Sequence, residues 1–204
     1  MEIEIKKLTI DLLDDWLSYF DNDAFSDDDN WPGCYCMHFY WNAELNNKND
    51  WEASLNQAYK KTGKADNRGR AIRLIKNGTM QGYLAYHNGK VIGWCNANDK
   101  RKYNTILNSF FNETDKDLKV KSVVCFTVSS KARGKGVATK LLEKVCADAI
   151  EDGYKYIEAY PLCHNKYGPV TFQGSLAMFE KLGFEKSGQI IDDCFILRKT
   201  LILV

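Results

Sequence analysis

Val128-Ser129-Ser130-Lys131-Ala132-Arg133-Gly134-Lys135-Gly136-Val137-Ala138-Thr139 is the stretch whose reading decides the fold. Upstream, residues 119–128 are rich in valine and read as a central strand. Downstream, Val137, Leu141, Leu142, Val145 and Ala149 fall on one face of a helix that runs to about Glu151. Glycines at the mouth of a helix let the backbone approach a ligand closely and leave amide N–H groups unpaired. Those donors, with the positive end of the helix dipole, suit a diphosphate. Arg133 and Lys135 add positive charge to the same place. The nucleotide P-loop does not fit, because Gly134-Lys135 is followed by glycine rather than Ser or Thr. The dinucleotide fingerprint fails as well, since Thr139 stands where its third glycine belongs. A glycine-rich turn that binds nothing remains open on this stretch alone.

Working outward, the chain alternates strands and helices. Residues 3–9 alternate apolar and polar as a half-buried strand does, and Leu12, Leu13, Trp16, Leu17 and Phe20 recur at helical spacing. An acidic stretch from Asp21 to Asn30 and Pro32-Gly33 precede the aromatic, cysteine-rich run Cys34-Tyr35-Cys36-Met37-His38-Phe39-Tyr40-Trp41. Two polar helical segments are predicted near 51–61 and 68–77. Asn88-Gly89 between the runs 82–86 and 90–95 signals a hairpin, because both turn residues must accept positive φ. A strand from Tyr154 to Tyr160, a short helix from Gly174 to Leu182, and closing strands near 184–190 and 194–201 complete the pattern. This order predicts an α/β (α+β) domain: a mixed, mostly antiparallel twisted sheet flanked by helices, with an N-terminal helical elaboration.

The bulk numbers fit one domain over 1–204, with an N-terminal strand and helices over 1–79 and the core over 80–204. The 204 residues are 45% hydrophobic and 27% charged, an ordinary globular profile. A net charge of +1 supplies no field favouring nucleic acid or an anionic membrane. No run approaches the roughly 18 apolar residues of a membrane span. Seven cysteines behind a start without an apolar signal core lead us to expect reduced thiols in the cytoplasm.

Arg133, Gly136 and Ala138 are in register with the Arg/Gln-x-x-Gly-x-Gly/Ala signature of acetyltransferases, and Gly174 to Phe184 carries Phe-Glu-Lys-Leu-Gly-Phe. That second run is similar to the late Tyr-Glu-Lys-x-Gly-Phe helix of the GCN5-related N-acetyltransferase superfamily. Together they make the chain resemble that superfamily, strongly over about residues 80–200. More loosely, it resembles an uncharacterised bacterial branch through the Cys34–Cys36 run, Gly82 to Tyr86, Cys125 to Val128 and Glu158 to Pro161.

The resemblance implies acetyl-coenzyme A as acyl donor, with no metal, and an amine of a small molecule or peptide as acceptor. Its pantetheine arm would follow the backbone of Phe126, Thr127 and Val128. The diphosphate would lie on the loop and first helical turn formed by Arg133, Gly134, Lys135, Gly136, Val137, Ala138 and Thr139, with Ser175 and Phe179 also lining the cofactor. A backbone N–H at a strand bulge would polarise the thioester oxygen. Phe179 occupies the position of the family's proton-donating tyrosine, and a phenyl ring has no proton to give. Tyr160, Ser175, Tyr167 and Cys163 are the substitutes weighed, with Tyr160 slightly favoured and Glu158 a candidate base acting through water. No cysteine pairs with an orienting histidine and carboxylate, so direct transfer is expected rather than an acyl-cysteine route.

Cys34, Cys36 and His38 suggest a metal only weakly, because zinc sites open with two to four residues between cysteines. The aromatic run is expected instead to wall the acceptor pocket. The basic residues Lys60, Lys61, Arg68, Arg70, Arg73 and Lys76 read as a solvated helix face, and no nucleic-acid or membrane partner is expected. A monomer or a homodimer fits equally. Two alternatives remain: a non-catalytic acyl-CoA sensor, prompted by Phe179, and a protein N-terminal or lysine acetyltransferase.

Overall fold

Asn88 and Gly89 both adopt left-handed backbone, with φ of 50° and 73°, and close the hairpin between β2 (Gly82–His87) and β3 (Lys90–Asp99). The computed structural model describes residues 1–27, 33–40, 64–103, 118–161, 172–191 and 194–202. Around this hairpin lie β1 (Glu4–Lys7), β4 (Val120–Val128), β5 (Tyr156–Ala159), β6 (Glu185–Ile191) and β7 (Cys194–Thr200). The seven strands form one sheet in the order β1-β2-β3-β4-β5-β7-β6. Only β4 and β5 run parallel; every other pair is antiparallel. The mixed sheet expected from the sequence is the one observed. The helix expected near 51–61 lies outside the described residues.

The parallel pairing is short. It runs from Val120 opposite Tyr156 to Val123 opposite Ala159, after which β4 continues to Val128 paired on its β3 side only. Two local features end it. On the β3 side, Asn96 pairs with Cys125 and Ala97 with Val123, so Val124 is the extra residue of a bulge that bends β4. On the β5 side, Pro161 follows Tyr160 and has no N–H with which to extend the ladder. The sheet therefore splays open between β4 and the end of β5.

Each face carries its own layer. Helix α3 (Val137–Glu151) buries Val137, Leu141, Leu142, Val145 and Ala149 on one face, the stripe read from the sequence. Gly93 makes the close approach possible: a Cβ there would meet Val137 Cγ1 at 2.8 Å. The short helix α4 (Leu176–Lys181) adds Phe179 and Leu176 to the same core. The other face is covered by α1 (Leu13–Asn22), α2 (Lys64–Lys76) and residues 33–40. Its centre is aromatic, with Trp16 tilted against Phe20 at 4.3 Å and edge-on to Trp94 at 5.9 Å. Asp21 ties this layer together by accepting from Arg68 at 3.1 Å and from the Tyr35 hydroxyl, and Asn67 Nδ2 donates to the Gly33 carbonyl at 2.9 Å.

One core position works against the rest. Lys121 on β4 is 1% exposed, with its ammonium 4.9 Å from the Tyr154 ring centre. Burial, helped by the like charge of Lys7, lowers its pKa to about 8 from 10.5. Below pH 8 both folded and unfolded chains carry the proton, and the folded chain bears the desolvation cost in full. Between about 8 and 10.5 only the unfolded chain binds it, so the contribution of Lys121 to stability rises with pH across that window. Lys121→Met should abolish that rise and stabilise the protein near neutrality by about 3 kcal/mol. Urea unfolding of both proteins at several pH values measures this; parallel pH profiles would refute it.

Candidate functional site

The loop that precedes α3 is built from a 3-10 turn at Ser130–Ala132 and two left-handed glycines, Gly134 and Gly136. Gly136, at φ 80°, is the N-cap of α3, and no side chain caps that terminus. Among the described residues, no turn or loop carbonyl accepts from the amides of Gly134 to Thr139. A Cβ on either glycine would meet nothing within 4 Å, so the space beside both glycines is open.

The two basic side chains of the loop are differently engaged. Arg133 donates Nε to the Val128 carbonyl at 3.0 Å and grips Asp27 with both terminal nitrogens, at 2.5 and 3.0 Å. Its guanidinium holds the Asp27 carboxyl below the usual range. Arg133 therefore straps the segment after α1 to the loop. Lys135 lies along the loop, donating to the Lys131 carbonyl at 2.8 Å. The main chain, rather than the arginine fork, presents the open donors.

The unpaired edge of β4 runs from this loop toward the opening of the sheet. Phe126 N–H donates to the Phe172 carbonyl at 2.5 Å, and the Thr127 carbonyl accepts from the Tyr19 hydroxyl at 2.9 Å. Thr127 Oγ1 is buried without a partner. Phe172 also meets Phe25 edge-on, ring centres 5.5 Å apart, so residues 25–27 and 172 flank the opening. On the α3 side, Phe179 is fully buried, 6.2 Å from the Phe126 ring and 5.2 Å from Phe184. Ser175, exposed at the start of α4, accepts from the Met178 N–H at 3.3 Å.

Glu158 and Tyr160 lie on the opposite face, away from Ser175. The Glu158 carboxylate is wholly buried and accepts from four donors. Lys100 Nζ lies at 2.6 Å, the Tyr160 hydroxyl at 3.0 Å, and Arg198 Nε and Nη2 at 3.0 and 2.5 Å. Arg198 is the direct cross-strand partner of Glu158 on β7. The Tyr160 hydroxyl also shares a 2.8 Å hydrogen bond with Ser122 Oγ. Burial and the adjacent carboxylate push the Tyr160 phenol well above its ordinary pKa, so it stays protonated. Sequence reasoning missed Lys100, Arg198 and Ser122. Arg198, directly after the apolar run Phe195 to Leu197, was the one available sign that a cross-strand partner existed.

The described part of the aromatic run closes this face. Tyr35, Cys36 and Met37 join the N-terminal core, while Phe39 and Tyr40 pack toward Tyr103, Val124 and Tyr160. The Tyr40 and Tyr103 hydroxyls both donate to Asn96 Oδ1, at 3.1 and 2.9 Å. No group of three His, Cys, Asp or Glu converges among the described residues, and no described helix is long and apolar enough to cross a membrane. On α2, Arg68 pairs with Asp21 and Arg70 with Asp66, which leaves a neutralised rather than a phosphate-seeking face there. Trp31, Trp41, Lys60, Lys61, Cys163, His164 and Tyr167 lie outside the described residues.

Solved structures share this architecture across the whole chain. An N-acetyltransferase from Staphylococcus aureus Mu50 superposes with a TM-score of 0.55 at 16% identity, covering 100% of both chains. The PaiA N-acetyltransferase of Thermoplasma acidophilum, solved with coenzyme A, gives 0.54 at 16% identity over 98% of this chain and 100% of its own. A ribosomal-protein-alanine N-acetyltransferase from Brucella melitensis gives 0.54 at 18% identity over 97% and 99%. The family model for acetyltransferases of the GNAT type matches residues 48–184, from the N-terminal layer through the glycine loop to the end of α4. With the splayed sheet and the uncapped helix in place, the chain belongs to the acetyltransferase (GNAT) family.

Proposed function

We propose that this acetyltransferase moves the acetyl group of acetyl-CoA directly onto the amine of a small molecule or peptide. The observation that carries the reading is the uncapped N-terminus of α3, opened by Gly134 and Gly136, at the foot of an unpaired strand edge. Residues 134–139 suit the diphosphate through their amides, and the Phe126–Val128 edge suits the amide-bearing arm. Acetyl-CoA supplies an activated thioester; the unprotonated amine attacks its carbonyl, and the thiol leaves. The bulge at Val124 is the favoured source of the N–H that polarises the oxygen.

Phe179, sealed in the core, supplies no proton. Among the candidates, Tyr160 combines a hydroxyl with a position at the open end of β5. Glu158, with every acceptor site engaged, positions Tyr160 and is a poor base. Ser175, engaged as a helix cap, is the lesser candidate. Phe39 and Tyr40 form the described part of an aromatic acceptor wall. A protein N-terminal or lysine substrate would need a more open groove. The likeness to a ribosomal-protein-alanine enzyme, at 18% identity, supports the fold and leaves the acceptor open. The sensor reading rests on Phe179 alone. The seven cysteines fit a reducing cytoplasm.

Gly136→Trp should leave a folded protein and abolish acetyl-CoA binding by calorimetry, since the added ring occupies the space before the open amides. Undiminished affinity would remove the loop from the site. An amine-panel acetylation assay should find turnover; tight CoA binding with none on any amine would favour the sensor. Tyr160→Phe should lower kcat with little change in KM. Glu158→Gln should instead cost roughly 3–5 kcal/mol of stability, because Lys100 and Arg198 lose their buried counter-charge. A Glu158→Gln enzyme with wild-type melting and a shifted pH profile would return Glu158 to the role of base.

A further inference from the structure

The open edge of β4 already carries the chain's own groups. Ser129 N–H donates to the Ile92 carbonyl on β3 at 3.0 Å. The trans peptide between Val128 and Ser129 therefore turns the Val128 carbonyl to the opposite side, where β5 no longer pairs. Arg133 Nε meets that carbonyl at 3.0 Å. Earlier on the same edge, Phe126 N–H is taken by the Phe172 carbonyl. Both partners are held by the segment that follows α1. Phe25 sets its ring edge-on to Phe172 at 5.5 Å, and Asp27 accepts from Nη1 and Nη2 of Arg133 at 2.5 and 3.0 Å. Residues 25–27 thus reach from the α1 side to both ends of the exposed edge.

The Arg133 end of this contact is the informative one. A guanidinium presents a planar fork that suits a carboxylate and a phosphate alike. Asp27 fills both terminal nitrogens of the fork, and Arg133 in turn holds the Asp27 carboxyl below its usual range, so the pair stays charged at neutral pH. Arg133 stands directly before Gly134, at the mouth of α3. An anion seated on the amides there finds the neighbouring cation already neutralised, and a carboxylate close enough to repel it. The side chains of Arg133 and Asp27 keep 31% and 41% of their exposure, and ion pairs this well hydrated bias an equilibrium by about fivefold at most. The contact is strong enough to register in an affinity and weak enough to yield to a diphosphate.

We propose that Asp27 is an internal competitor of the cofactor. It clasps Arg133 over the corner where the β4 edge meets α3. A diphosphate arriving at residues 134–139 displaces it, which frees Arg133 to turn toward the phosphates and loosens residues 25–27 from the edge. Asp27 acts through Arg133 and is a positioning residue rather than a catalytic one. The clasp itself stands on the printed contacts of Arg133, Asp27, Phe25 and Phe172; its role as competitor rests on the reading that acetyl-CoA lies along residues 126–139.

Calorimetric titration of coenzyme A into the full-length wild type and Asp27→Asn provides the test. Asparagine keeps the shape and drops the charge. The variant should bind about three- to fivefold more tightly at low salt, and the gain should fade at high salt, where the pair is already screened. Asp27→Glu should return the affinity to near the wild-type value. Equal or weaker binding by Asp27→Asn overturns the competitor role and leaves the cofactor site standing. If neither protein binds coenzyme A, the acetyl-transfer reading fails and the competitor role with it. Hydrogen exchange on the wild type needs no variant. Amides of residues 25–27 should exchange faster with coenzyme A bound; slower or unchanged exchange overturns the proposal.

Discussion

Four parallel pairings, from Val120 with Tyr156 to Val123 with Ala159, hold β4 against β5 and then stop. The opening of the sheet follows from that stop. A strand left without a neighbour exposes main-chain groups that must be satisfied by something else. Here Val124 bulges, Pro161 withholds a donor, and the edge from Cys125 to Val128 has no strand beside it on the β5 side, its Phe126 N–H being taken up by the Phe172 carbonyl. Helix α3 begins at the same end of β4, so its uncapped amides and the unpaired edge form one continuous strip of polar backbone.

The two walls of that gap are held by different physics. On the α3 side the wall is apolar: Phe126, Phe179 and Phe184 pack ring against ring, and Gly174 lets Phe126 and Phe179 come close. On the other side it is ionic and hydrogen-bonded, with Glu158 collecting Lys100, Arg198 and Tyr160 in the interior. Such a cluster adds little net stability against an apolar alternative, yet it fixes side chains in single positions. A site that must orient an acceptor gains more from that fixity than from a few further kilocalories.

Much of this was legible in the sequence. Asn88-Gly89, the stripe on α3 and the left-handed Gly136 are local signals, and local physics decides them. The strap between Arg133 and Asp27 was not, because arginine beside a phosphate loop reads as a ligand for phosphate until its partner is known. Glu158 stood as a candidate base beside the reading of a paired glutamate, because its three neighbours come from β7, from the turn after β3 and from its own strand end. The bulge fell on Val124, a residue with nothing in its chemistry to mark it.

The hydrogen bond between Phe126 N–H and the Phe172 carbonyl carries a thermodynamic consequence. A donor already satisfied inside the protein offers an incoming carbonyl no new bond, only an exchange. The affinity measured for a carrier lying there is its intrinsic affinity multiplied by the fraction of molecules in which Phe172 has withdrawn. Residues that anchor Phe172, Phe25 among them through its ring contact, thus set the apparent dissociation constant without touching the carrier at all.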